Sequence, residues 1–129
     1  MPDSMPLVSI ITVCRNAAAT LPRTLQSIAA QTYPRMEYII VDGASTDGTL
    51  ELIRACPAVT AWSSEPDEGI TDAFNKGIAQ ASGEWVGILN ADDWYEPDTV
   101  ARVVERAKEA DVVHGAVRYW RGKDPKEVY

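Results

Sequence analysis

Histidine and phenylalanine each occur once in the 129 residues and cysteine twice. Positive charge is also short, with 12 Lys and Arg against 19 Asp and Glu, for a formal net charge of −7. Each scarcity narrows the field. Two thiols, Cys14 and Cys56, make neither a disulfide framework nor a zinc site. Both sit in or beside apolar segments and read as small buried hydrophobes in a reducing compartment. The single histidine, His114, lies inside an apolar run and is expected to pack rather than to catalyse. The acidic balance, with no stripe of Lys or Arg over the first hundred positions, argues against generic binding to DNA or RNA. A polyphosphate would instead be held by backbone N–H groups, a few local cations or a metal ion. The opening "MPDSMPLVSIITV" lacks the basic region of a signal peptide, and no apolar stretch is long enough to span a bilayer. The expectation is a cytoplasmic protein of one domain, residues 1–129, whose length and 46% hydrophobic content suffice for a core.

What is present is a strict alternation. "LVSIITVC" (7–14) is a β-branched run suited to a strand buried on both faces. "NAAATLPRTLQSIAAQ" follows, with Leu21, Leu25, Ile28 and Ala29 at helical spacing. "MEYIIVD" (36–42) predicts a second strand, the polar turn "GASTDGT" leads into a short helix carrying Leu50 and Ile53, and "VTAW" (59–62) predicts a third strand. Ile70, Ala73, Phe74, Gly77, Ile78 and Ala81 mark a helix face, "EWVGIL" (84–89) a fourth strand, and Pro97 opens a further helix. "DVVHGAVRYW" (111–120) predicts a fifth strand, and the tail after it has no clear pattern. The pattern implies an α/β fold, a mostly parallel, Rossmann-like sheet with helices on both faces. Ligands of such sheets bind beyond the carboxyl ends of the strands, where strand order reverses. The segments 12–16, 42–47, 63–69 and 90–93 all follow strands and are expected on that edge.

Among these, Asp42 ends an apolar strand, where a carboxylate can accept hydrogen bonds from a base or a ribose hydroxyl. Ser45, Thr46 and Asp47 read first as helix caps. Gly43 and Gly48 have the spacing of a P-loop, but Thr49 stands where that motif needs Lys. The adjacent Asp92 and Asp93 favour a hard divalent cation, Mg²⁺ or Mn²⁺, shared with substrate phosphates; an unliganded surface turn is the plain alternative. Asp67 and Glu68 suit a helix dipole. Asn75 and Lys76 are either ligand contacts or solvent-facing. The four tryptophans are too scattered for a stacking platform, although Trp94, beside the Asp pair, suits a pocket wall.

Taken in order, "VSIITVCRN", "SIAAQTYPRMEYIIVDGASTDGT" and "SEPDEGITDAFNKGIAQASGEWVGILNADD" resemble the nucleotide-binding half of a family 2 glycosyltransferase of GT-A fold, over roughly residues 8–93. The likeness is to bacterial transferases that build cell-surface polysaccharides. It implies a nucleotide-sugar donor, a UDP-sugar ahead of a GDP- or dTDP-sugar, and transfer with inversion to a sugar or lipid-linked acceptor. It implies that Thr12 and Asp42 contact the nucleoside, with Asn16, Asp67, Asn75, Lys76 and Asp92 completing the nucleotide-binding set. Asp92 would be the last residue of the family's Asp-x-Asp metal motif, with Asp93 adjacent.

Three departures stand out. Asn90 replaces the first Asp of that motif, which removes one negative charge. Cys14 replaces a common aromatic residue, which removes a base-stacking surface. The chain also stops where family members continue into an acceptor-binding half that supplies the catalytic base; Glu105, Glu109 and Asp111 fit a helix surface and its end instead. The resemblance therefore implies either a transferase lacking that half or a non-catalytic donor-binding fragment, and an exposed apolar surface that a second copy or a partner would cover. A receiver-type signalling domain would need its acidic pair after the first strand. A nucleotidyltransferase would need a Gly-rich basic loop where "CRNAAAT" stands.

Overall fold

The β-branched run Val8–Cys14 is strand β1, and all seven of its residues are buried, as a strand covered on both faces requires. The computed structural model describes residues 5–113 and the backbone of 118–121 and 124–128. In it, β1 lies between β2 (Met36–Asp42) and β4 (Trp85–Ile88), with β3 (Ala61–Ser64) outside β2. Every pairing in this four-stranded sheet is parallel. Cys14 is level with Asp42, and Asp42 with Ser64, whereas β4 ends at Ile88 opposite Ile11. The order β3-β2-β1-β4 reverses between β1 and β4, which puts the switch point beside the loop that follows β4.

The pleat of β1 divides the core in two. Val8, Ile10 and Cys14 join Tyr38 and Ile40 of β2 under three helices: α1 (Leu21–Ala29) through Leu21, Leu25 and Ile28, α2 (Thr49–Arg54) through Ile53, and α4 (Thr99–Ala107) through Val100 and Val104. Ile11 and Val13, with Ile39 and Val41, face α3 (Ile70–Gln80) through Ala73 and Phe74. Gly77 permits that approach: a Cβ there would stand 2.5 Å from the Ile11 Cγ2 methyl. The expected α/β sheet with helices on both faces is the observed one.

Local boundaries differ. β3 begins at Ala61 because Thr60 is occupied with Tyr38: its amide donates to the Tyr38 carbonyl and its hydroxyl accepts the Tyr38 amide. α4 begins at Thr99, two residues past Pro97, because the Thr99 amide first closes a turn on the Glu96 carbonyl. The fifth strand expected over 111–120 does not join the parallel sheet. Residues 111–113 are not strand, and β5 (Arg118–Arg121) pairs antiparallel with β6 (Asp124–Val128) in a separate two-stranded sheet. Only two residues, Gly122 and Lys123, separate these strands in sequence, a spacing that suits a hairpin and is far too short for a parallel crossover. His114 lies outside the described residues.

Edge strand β4 is only partly covered. Val86 and Ile88 are 43% and 50% exposed. Their partners in β1 are Ser9 and Ile11, which puts them on the face that α3 covers further in.

Candidate functional site

Asp42 ends β2 and is fully buried. Its carboxylate receives four donors. The Cys14 thiol (3.3 Å) and the Ser45 hydroxyl (2.5 Å) reach Oδ1, while the Ser45 amide (2.8 Å) and the Ser64 hydroxyl (2.8 Å) reach Oδ2. These come from the ends of three adjacent strands and fill the roughly four lone-pair positions of a carboxylate. Burial pushes the Asp42 carboxyl up, but the bonds from Ser45, Ser64 and Cys14 outweigh it and hold the group below the usual carboxylate range. Burial and the neighbouring Asp42 push the Cys14 thiol up, so it stays protonated and donates.

The segment after Asp42 is stitched to the segment after β1. Asn16 donates its amide to the Ser45 hydroxyl (2.7 Å) and accepts the Thr46 amide at Oδ1 (2.8 Å). The Ala17 and Ala18 amides reach the Thr49 hydroxyl and the Asp47 carboxylate. Asn16 and Ala44 both have positive φ, 50° and 60°. Asn tolerates that region; Ala does not, at a cost of about 1–2 kcal/mol. The N-cap of α2 is Gly48 and none of Ser45, Thr46 and Asp47; Asp47 contributes from the position before it, its Oδ1 accepting the Thr49 amide. Ser45 serves Asp42 instead, and the Thr46 amide serves Asn16.

Thr12 is fully buried, with its hydroxyl 2.7 Å from that of Tyr38. It therefore forms the floor behind Asp42 rather than part of the open edge. Asp67 lies against Gly43, where a Cβ would stand 2.8 Å from its Oδ2 and 3.6 Å from the Arg15 Cβ. Its Oδ1 accepts the Gly69 amide (3.0 Å). Lys76 bridges Glu65 (3.0 Å) and Asp72 (3.4 Å), which ties the loop after β3 to α3; Asn75 beside it is exposed. Asn16, Asp42, Asp67 and Arg15 are thus brought together, with Lys76 and Asn75 on the adjoining helix.

The acidic loop stands on the other side of β1. Its amide at Leu89 continues the sheet by donating to the Ile11 carbonyl (2.9 Å), and Asn90 to Asp93 form a turn closed by the Asp93 amide on the Asn90 carbonyl (3.1 Å). Asp92 and Asp93 are exposed. Asp93 receives a long bond from the Asn90 side-chain amide (3.4 Å). The Asp92 carboxylate bonds to no other described side chain or backbone group. The Tyr95 hydroxyl donates to the Ile88 carbonyl (3.1 Å); burial and then the Asp93 charge push its pKa up to about 12.

No group of three or more His, Cys, Asp or Glu side chains among the described residues could hold a metal by itself. Two exposed carboxylates with oxygen donors alone suit a hard cation that takes its remaining ligands from phosphate and water. The donor set fits a cation shared with a substrate.

Four participants escape a reading of sequence alone: Arg15, Arg23, Thr24 and Gln31. The Arg23 guanidinium sits 4.7 Å over the Trp94 ring, and Thr24 and Gln31 bond the backbone of the acidic loop. Thr24 did leave a signal, since Leu21, Thr24, Leu25 and Ile28 share the buried stripe of α1, and a hydroxyl in such a stripe needs a partner.

The model of the family described as glycosyl transferase family 2 matches residues 9–128. An uncharacterized glycosyltransferase of Mycobacterium tuberculosis is 44% identical over 105 residues, covering 79% of this chain and 40% of that protein. A PGL/p-HBAD biosynthesis glycosyltransferase of Mycobacterium bovis is 41% identical over 120 residues, covering 87% and 47%. The chain therefore spans less than half the length of these relatives. Among solved structures, a mannosyltransferase from Pyrobaculum calidifontis in complex with GDP-Man and Mn²⁺ aligns with a TM-score of 0.74 at 33% identity, over 86% of this chain and 34% of that one. TarS 1–349 of S. aureus in complex with UDP-GlcNAc aligns with a TM-score of 0.74 at 26% identity, over 80% and 31%.

Proposed function

The chain belongs to glycosyl transferase family 2, and from that premise we propose that it is the nucleotide-sugar-binding half of an inverting, metal-assisted glycosyltransferase. The observation that carries the reading is a pairing across the switch point. A buried carboxylate sits at the end of β2, and two exposed, unneutralised carboxylates stand in the loop after β4, on the same edge of one parallel sheet. A nucleoside diphosphate is the ligand class that calls for both, since the nucleoside wants directed acceptors and the diphosphate wants a cation.

In this reading Asp42 takes the nucleoside, with Asn16 and Asp67 beside it and Thr12 as the floor. Because the four acceptor positions of Asp42 are filled, a ligand N–H or hydroxyl replaces one existing donor, the Ser64 hydroxyl or the Cys14 thiol rotating aside. Lys76 and Asn75 stand toward the phosphates. Asp92 and Asp93 hold Mn²⁺ or Mg²⁺, which when bound offsets charge on the diphosphate leaving group. The neighbour holding GDP-Man and Mn²⁺ and the neighbour holding UDP-GlcNAc support a nucleotide-sugar donor. A UDP-sugar is proposed first and a GDP- or dTDP-sugar next, with a sugar or lipid-linked acceptor in surface-polysaccharide synthesis.

Glu105 and Glu109 are exposed, on α4 and just past it, and we assign the acceptor-activating base to the part of the relatives that this chain does not span. The same shortfall favours a second reading, a donor-binding fragment without transfer. No helix among the described residues is long and apolar enough to cross a membrane. Free Cys14 and Cys56 suit a reducing compartment, and on that ground we propose a cytoplasmic location. The exposed Val86 and Ile88 favour a dimer or partner contact, against which a monomer by light scattering would count.

The test is calorimetric titration with UDP, GDP and dTDP, with and without Mn²⁺, on wild type and Asp92→Ala. Metal-dependent binding of one of them, lost in the variant, is expected. Absence of binding by all three would refute a donor site. Binding without transfer to any acceptor would favour the second reading.

A further inference from the structure

We propose that Thr24 is a positioning residue for the acidic loop: its hydroxyl, sealed beneath the loop, fixes the backbone on both sides of Asp92 and so sets where that carboxylate stands. The inference rests on the reading of Asp92 and Asp93 as the cation-binding pair. Thr24 is fully buried among the apolar residues of α1. Its Oγ1 lies 3.0 Å from the Ala91 carbonyl oxygen and 2.6 Å from that of Asp93. A hydroxyl has one proton to give, so a single donor serves the two carbonyls that flank Asp92.

The segment just past the end of α1 repeats the arrangement further along the loop. Gln31 Nε2 donates to the Glu96 carbonyl (2.7 Å), Gln31 Oε1 accepts the Val100 amide (3.0 Å), and the Thr32 amide donates to the Pro97 carbonyl (2.9 Å). Beyond Tyr95, residues 91–100 are held by bonds from Thr24 of α1 and from Gln31 and Thr32 just past it, about seventy positions earlier in the chain. That distribution has a consequence for function. The Asp92 side chain has no bond to another described residue that would aim it, so its position depends on the backbone beneath it. Groups that orient metal ligands from outside the coordination sphere commonly matter by about tenfold to a hundredfold in metal affinity.

The experiment measures UDP and GDP binding to the whole chain by calorimetry, with and without Mn²⁺, for wild type, Thr24→Val, Thr24→Ser and Asp92→Ala. Thr24→Val keeps the shape and removes the donor. It is expected to weaken the Mn²⁺-dependent part of binding by about tenfold or more while metal-free binding, carried by the Asp42 side, stays unchanged. Thr24→Ser restores the donor and is expected to return binding to the wild-type level. If Thr24→Val binds as wild type in Mn²⁺ while Asp92→Ala does not, the positioning role is wrong and the donor site stands. If wild type shows no Mn²⁺-dependent binding, or Asp92→Ala leaves it intact, the cation reading falls and this proposal with it. Should Thr24→Val fail to fold, Thr24→Ala, which removes the donor with a smaller side chain, carries the test. A selective loss of the metal-dependent part is expected there, and wild-type binding would overturn the proposal.

Discussion

Asp42 and Asp92 are the same side chain at the ends of two strands of one sheet, and the fold treats them in opposite ways. Asp42 is buried, receives four hydrogen bonds and is held below the ordinary carboxylate range. Asp92 is exposed, stands beside a second carboxylate and is held only through its backbone. The first is a finished piece of structure whose arrangement a ligand must enter. The second is left electrostatically incomplete, and a pair of like charges persists there because loop and helix fix the main chain independently of the side chains. Preorganisation in this protein therefore has two forms, one in side chains and one in backbone.

The largest effect should come from breaking the finished side. Asp42→Ala strands four donors, from Cys14, Ser45 and Ser64, and is expected to cost about 2–4 kcal/mol of stability, within the range for disrupting a buried polar network. Urea unfolding checks it. A loss under about 1 kcal/mol would mean that water replaces the carboxylate without penalty, and the contrast with Asp92 would lose half its content.

Acid sharpens the comparison. The folded-state pKa of Asp42 lies below its unfolded value near 3.9, so the unfolded chain binds that proton more tightly. Its contribution is complete above the unfolded value and disappears as pH falls through the lower folded one. Asp47, held down chiefly by the Thr49 hydroxyl, and Asp72, held down chiefly by the Glu68 amide, shift in the same direction. Wild-type stability should decline below about pH 4, and the gap between wild type and Asp42→Asn should narrow over the same interval. Urea midpoints from pH 7 to pH 2.5 measure both, and a constant gap would contradict the assignment to Asp42.

A smaller gain is expected at Ala44. Its positive φ of 60° accompanies the turn that delivers the Ser45 amide to Asp42. Ala44→Gly removes the Cβ conflict but loosens the unfolded chain, leaving a net stabilisation of up to about 1 kcal/mol. A destabilised variant by thermal unfolding would mean that the turn does not carry this strain.

How much of this was legible in the sequence follows the same division. The β-branched strands, the amphipathic helices and the strand-end positions of Asp42 and Asp92 could be read directly, because periodicity and chain position determine them. The role of Ser45 could not, because a Ser after a strand serves equally well as a helix cap or as a carboxylate partner, and the Asn16 amide that its hydroxyl also accepts comes from 29 positions earlier. Thr24 reaches Asp93 across 69 positions, and nothing local in "LPRTLQSIA" names that partner. The hairpin of β5 and β6 was missed because an apolar run of strand character does not state which strand it will pair with.

The smallest expected effect bears hardest on the comparison. If Asp92 is electrostatically incomplete by design, Asp92→Asn removes a repulsion from Asp93 and breaks no bond to a described residue. Its urea midpoint should stay within about 0.3 M of wild type, the range of an ordinary surface change. Any shift should favour the variant and shrink as salt rises, because exposed charges are screened. Asp42→Asn has no such salt dependence, its partners being neutral donors inside the protein. Midpoints of both variants in 20 mM and 500 mM NaCl separate the cases on the order of a Debye-length change. A clear, salt-independent destabilisation by Asp92→Asn would make that carboxylate a structural partner like Asp42, and the loop would then hold its shape through the side chain rather than through Thr24 and the backbone.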